Sequence, residues 1–144
     1  MLSTDQKGAI AETAIVHAAV KAGIGVALPF APQRYDLVFD VGGRLLRIQC
    51  KWATRVAEVV IVRGYSFRRT RNGFVQRAYT AAEIDAVAAY CREIDSCYLL
   101  PVGALGPSGT IQLRLAPARN NQKIGINWAR DFDFGATLAR LPGP

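Results

Sequence analysis

Histidine is almost missing from this chain of 144 residues: His17 is the only one. Most histidine-built metal sites are thereby excluded, and a Ser-His-Asp arrangement would depend on that single imidazole. His17 falls within a predicted helix and is expected to be a partly buried structural residue. Cysteine is scarce too, with Cys50, Cys91 and Cys97 forming an odd set that contains no C-x-x-C pair. Neither a zinc ribbon nor a disulfide scaffold fits, and reduced thiols in a cytoplasmic protein are expected. Long apolar runs are absent as well. The longest uncharged stretch, 96–113, is broken by Pro101, Pro107 and three glycines, so no membrane partner is expected. The segment from Met1 to Lys7 lacks the apolar core of a signal peptide.

Acidic residues are outnumbered: 11 Asp+Glu stand against 18 Lys+Arg, a formal charge of +7. Only Lys7, Lys21, Lys51 and Lys123 are lysines, and the rest of the basic set is arginine. Guanidinium groups grip phosphate bidentately and keep their charge in any surroundings, so the partner indicated is a polyanion, with nucleic acid first. Otherwise the composition is that of a folded protein, 51% hydrophobic and 20% charged. The length suits one domain, taken as 1–144.

Ser3 and Gln6 form a capping box that predicts a helix from Thr4 to about Ala22, ended by Gly23. A short strand is expected over Gly25 to Phe30. Two β-rich runs then flank Gly42-Gly43, a pair suited to a two-residue hairpin turn that needs positive φ at both positions. Such a turn pairs residues whose numbers sum to 85. Phe39 then faces Leu46 and Leu37 faces Ile48 on one apolar face, while Asp36 faces Gln49 on the other. Further strands are expected at 58–65, 98–102 and 110–115. Arg68 to Arg77 reads as a basic loop, Thr80 and Glu83 as a capping box opening a second helix through Cys91, and the tail as a short docking helix. The fold class is α/β (α+β), a mixed central sheet with flanking helices.

The Gly42-Gly43 hairpin also concentrates chemistry. Directly opposed residues on one sheet face have Cβ atoms roughly 4.5–5.5 Å apart. Asp36 and Gln49 can thus aim oxygens at one hard divalent cation, joined by the Cys50 backbone carbonyl, with Lys51 on the same face to assist an attacking water. Glu12, on the first helix, is the acidic residue placed to complete the set. Asp, Gln and Lys alternating along a strand also describe an ordinary solvent-facing sheet surface.

The order Glu12, Asp36, Gln49-Cys-Lys51 resembles the PD-(D/E)XK nuclease superfamily. More closely it is similar to the small PD-(D/E)XK family containing bacterial group I intron homing endonucleases. The segments that carry the likeness run along nearly the whole chain: Lys7-Gly-Ala-Ile-Ala-Glu12, Arg34-Tyr-Asp36, Leu46-Arg-Ile-Gln-Cys-Lys51, Tyr79 through Asp85 to Tyr90-Cys-Arg-Glu93, Tyr98-Leu-Leu-Pro101, and Asn120-Asn-Gln with Ile126-Asn-Trp-Ala129. The resemblance implies a restriction-endonuclease-like core (αβββαβ). It also implies a Mg²⁺-dependent DNA endonuclease (Mn²⁺ as substitute) acting in the nucleoid as a homodimer or homotetramer. Glu12, Asp36 and Gln49 would hold metal and Lys51 would be the catalytic lysine. Two departures stand out: Tyr35 replaces the proline before the aspartate, and Gln49 replaces a carboxylate, lowering the site charge by one. Arg68, Arg69, Arg71, Arg77, Arg119 and Lys123 are the expected DNA contacts. A Holliday junction resolvase and a catalytically silent DNA-binding module on the same fold are the alternative readings.

Overall fold

The computed structural model describes residues 1–120 and 124–141. Helix α1 (Thr4–Lys21) opens with the expected capping box: the Gln6 N–H donates to Ser3 Oγ at 3.1 Å and the Ser3 N–H to Gln6 Oε1 at 2.8 Å. Ala11, Ile15 and Ala19, four residues apart, form its buried stripe. Strand β1 (Gly25–Ala27) follows, then β2 (Leu37–Val41) and the long β3 (Arg44–Val56). Gly42 and Gly43 turn between them with φ of 59° and 86°, and the ladder from Val41↔Arg44 to Leu37↔Ile48 keeps the predicted register.

Beyond β3 the chain departs twice from expectation. After β4 (Val59–Arg63), the basic segment is no loop but a two-stranded ribbon, β5 (Tyr65–Thr70) and β6 (Gly73–Ala78), turning at Arg71-Asn72. The run after Glu83 is not a helix. Thr80 and Glu83 do form one hydrogen-bonded turn, but β7 (Ala86–Cys91) then runs parallel to β3, from Ile48↔Ala86 to Ala53↔Cys91. Ala86 and Ala88 pack on one sheet face and Val87, Ala89 and Cys91 on the other. A short run apolar on both faces suits a central parallel strand, and that tertiary demand overrides alanine's helix preference.

Strands β8 (Ser96–Pro101), β9 (Thr110–Arg114) and β10 (Asn127–Trp128) extend the sheet, and α2 (Phe134–Arg140) closes the described chain. The result is a mixed α+β architecture around one central, mostly antiparallel sheet. Both helices cover one face, where Ile15, Phe39, Ile48, Leu99 and Phe134 pack together. Val60, Ile84, Val87, Leu100 and Leu113 fill the other. His17 is exposed rather than partly buried, because the stripe at Ile15 and Ala19 points the other way. The cysteines are free thiols, and no described helix is long and apolar enough to cross a membrane.

Candidate active site

A break in the sheet creates the site. Strand β2 pairs with β3 only as far as Ile48, and β4 takes up pairing only at Thr54. Between them, residues 49–53 pair with β7 alone. Asp36 sits where the next rung of the β2–β3 ladder would fall. Its N–H donates to the Ile48 carbonyl at 2.8 Å, and its carboxylate accepts the Cys50 N–H at 3.0 Å. The regular Asp36–Gln49 pair expected from the turn is therefore replaced by a side-chain bridge, which holds the carboxylate in the gap.

Alternation along β3 puts Gln49 and Lys51 on the face of Ala53, while Ile48 and Cys50 face the helices. Gln49 turns its amide nitrogen toward the Cys50 carbonyl at 3.4 Å. Glu12 arrives from α1 on the opposite face, and its half-buried carboxyl makes no hydrogen bond or salt bridge to a described residue. Burial, followed by repulsion from Asp36, raises the Glu12 pKa. Burial raises Asp36 as well, against the lowering effects of the Cys50 N–H and the Lys51 charge. Burial pulls Lys51 below the ordinary lysine value; Asp36 opposes that shift and Arg34 adds to it. Two carboxylates and an ammonium thus influence one another in one partly buried space. Glu12, Asp36, Cys50 and Lys51, spread over 40 positions of sequence, come within electrostatic reach of one another, whereas Gln49 is engaged with the Cys50 carbonyl.

Lys51 Nζ donates to the Tyr65 carbonyl at 2.9 Å and lies 5.1 Å from the centre of the Tyr79 ring. Arg34, which stands in the Arg34-Tyr-Asp36 segment but had no role of its own there, organises this side. Its guanidinium lies 4.1 Å from the Tyr79 ring centre and donates to Glu83 at 2.9 Å, to Ser66 Oγ at 2.7 Å and to the Ala78 carbonyl at 3.0 Å. It thereby fastens both strands of the ribbon beside Lys51. The only available signal was its place two residues before Asp36.

The expected DNA contacts separate in space. Arg68, Arg69, Arg71 and Arg77 lie on the ribbon and are exposed, with Arg77 paired to Glu83 at 2.8 Å. Arg119 is exposed in a different place, at a depression it shares with Ala57, Glu58 and Asn120. Lys123 lies outside the described residues.

A family model described as PD-(D/E)XK endonuclease matches residues 2–135. The chain belongs to the PD-(D/E)XK endonuclease family. Among solved structures this endonuclease is similar to the bacterial homing endonuclease I-Ssp6803I, at 28% identity and a TM-score of 0.76, over 96% of this chain and 93% of that one. The curated proteins give no match. For a member of this family, the gap in β3 with its two carboxylates and lysine is where phosphodiester chemistry is to be sought. No group of three or more His, Cys, Asp or Glu residues that could hold a metal is present among the described residues.

Proposed function

We propose that this endonuclease hydrolyses phosphodiester bonds of duplex DNA in a homing-type reaction that depends on Mg²⁺, with Mn²⁺ as a substitute. The observation that carries this reading is the stretch 49–53 of β3, paired with β7 on one edge and with neither β2 nor β4 on the other, where Asp36, Glu12 and Lys51 act on one another. The donor set fits a hard cation. Glu12 and Asp36 repel each other and Glu12 has no donor partner among the described residues, so a cation held by both would remove a standing electrostatic cost. Glu12, Asp36, the Cys50 carbonyl and, after its amide turns, the Gln49 oxygen would hold it. When bound, Mg²⁺ supplies Lewis-acid polarisation of the phosphate and a more acidic water.

The chain's own groups do the rest. Lys51 stays on the Asp36 side of the gap, where its ammonium can donate to a phosphate oxygen and offset the charge that builds as water attacks. Its partly lowered pKa leaves a proton that is easier to move than that of an exposed lysine. The Asp36–Cys50 hydrogen bond keeps the carboxylate from swinging out when DNA enters. Arg68, Arg69, Arg71 and Arg77 line the ribbon beside this gap and would track the phosphate backbone, with Arg119 as an outlying contact; Lys123, outside the described residues, is proposed as a contact from its charge alone.

We assign the working unit as a homodimer or homotetramer acting on DNA in the cytoplasm. Support comes from Leu28 and Phe30, exposed at 69% and 109% just past the edge strand β1. Light scattering on the purified protein tests this: a mass near 15.6 kDa would refute it.

Cleavage of paired duplex, a four-way junction and its linear arms with and without Mg²⁺ tests the activity. Cutting of linear duplex, lost on chelation, is expected; cutting of the junction alone would move the reading to a junction resolvase. The glutamine at position 49 favours a second reading, a DNA-binding module without chemistry. Calorimetry that finds no Mg²⁺ binding at millimolar metal, together with intact DNA in every arm, would select it.

A further inference from the structure

Beside the gap, a cleft of about 580 Å³ opens between the first turns of α1 and the start of β5. Small-molecule sites span roughly 300–1,000 Å³, so it is large enough for more than a phosphate. Three cations line it, Lys7, Lys51 and Arg63, and so do three aromatic rings, Trp52, Tyr65 and Phe67. Lys7 Nζ lies 5.9 Å from the Trp52 ring centre. The Tyr65 and Phe67 ring centres are 5.7 Å apart, and Phe67 in turn meets Phe74 at 5.3 Å.

These rings are poorly explained by folding. Phe67 is 57% exposed and Phe74 67% exposed, so neither belongs to the core. Paired duplex does not account for them either, because its flat base faces are hidden in the stack. A nucleotide drawn out of the stack presents a flat apolar base and a phosphate together, the two chemistries this cleft combines. The cleft also shares Lys51 with the gap in β3, so its occupant would adjoin the reacting phosphodiester.

We propose that the cleft receives one unstacked nucleotide of the DNA strand, its base against the Trp52 and Phe67 rings and its phosphate at Lys7 and Arg63. This rests on the endonuclease reading for the identity of the polymer. Unstacking then becomes part of binding, and DNA already lacking a partner base is held more tightly because that step is complete.

The test compares a labelled paired duplex with the same duplex carrying a two-nucleotide gap in one strand. Affinity is read by anisotropy without Mg²⁺ and cleavage with it. The gapped DNA is expected to bind about tenfold more tightly, in line with base–aromatic stacking. Phe67→Ala, which removes an exposed ring, and Lys7→Ala should each shrink that advantage to within about twofold. In a Trp128→Phe protein, the remaining Trp52 emission should be quenched by gapped DNA and little by paired DNA. Equal affinity for the two DNAs, an advantage untouched by Phe67→Ala, or an unresponsive Trp52 would overturn the proposal. If duplex is cut with Mg²⁺ while no gap preference exists, the cleft assignment falls and the endonuclease reading stands. If the gap preference and quenching appear but no DNA is ever cut, the reverse holds. A protein that binds no DNA at all refutes both.

Discussion

Two β-hairpins with glycine-containing turns sit side by side in this protein and have opposite characters. The β2–β3 hairpin alternates buried residues with less buried ones, and Leu37, Phe39, Leu46 and Ile48 are sealed in the core. The β5–β6 ribbon pairs with nothing but itself, and every residue of β6 is exposed. Its two faces differ from each other. Tyr65, Phe67, Arg69 and Phe74 share one, and Ser66, Arg68, Val75 and Arg77 the other. Arg34 joins the hairpins, since it precedes Asp36 and grips Ser66 and Ala78. A rigid hairpin can hold reacting groups to within fractions of an ångström, whereas an exposed ribbon can conform to a polyanion. Under the proposed function, the first would carry the chemistry and the second the contact with DNA.

The largest effect should separate those roles. Lys51→Ala and Asp36→Ala are expected to lower cleavage on the order of a hundred- to a thousandfold or more, with DNA affinity kept within a few fold. Gel cleavage and anisotropy on the same preparations check this. If both variants cut like the parent, the gap in β3 is not the active site.

Stability should divide along the same line. Phe39→Ala removes a fully buried ring packed edge-on against Phe134 at 5.9 Å and should cost about 3–5 kcal/mol. Phe74→Ala, on the ribbon, should stay within about 0.5 kcal/mol. Urea denaturation of both variants measures the contrast, and equal losses would show that the ribbon is part of the cooperative core.

Binding should show the inverse pattern. Replacing Arg68, Arg69 and Arg71 with alanine should weaken DNA binding and flatten its salt dependence, by about 0.9 in slope for each arginine that meets a phosphate. The unfolding midpoint should not move. An unchanged slope would take the ribbon out of the DNA path.

A smaller effect tests how the turn at residues 80–85 is secured. Burial tends to raise Asp85, but hydrogen bonds and charge from Arg47 win and hold its carboxyl below the usual value. The carboxylate accepts the Arg47 backbone N–H at 2.7 Å and its guanidinium at 3.2 Å. A group depressed in the folded state contributes stability above its unfolded pKa and loses it as pH falls through the folded one. Acid should therefore weaken the parent through and below the ordinary aspartate range. Asp85→Asn should cost about 1 kcal/mol at neutral pH, because the pair is partly exposed, and flatten that acid slope. Parallel pH–stability curves would expose the error.

What could be read in advance was local or periodic. Ser3 and Gln6 announced the start of α1, and Gly42-Gly43 announced the turn and the register from Val41 to Leu37. That register alone was enough to put Asp36 near Gln49 and Cys50. The failures were at 68–77 and 80–91. Arginine density suggested a loop, but the segment is a paired ribbon in which Arg68 faces Val75 and Arg69 faces Phe74. Thr80 and Glu83 made a true capping turn and then no helix. What ended it was the unpaired edge of β3, a partner no local signal displays.

By itself, the sequence determined the elements whose hydrogen bonds close within a few residues, and it supplied the residue types that chemistry with phosphate requires. It also carried, in its spread-out segments, the family to which the chain belongs. Only the tertiary structure decided that β7 is a strand, that β2 and β4 leave one edge of residues 49–53 without a partner, and that Glu12 comes within electrostatic reach of Asp36. The physical reason is range. Capping and two-residue turns are decided by neighbours, whereas this gap exists only because β2 and β4 each stop at their own place along β3.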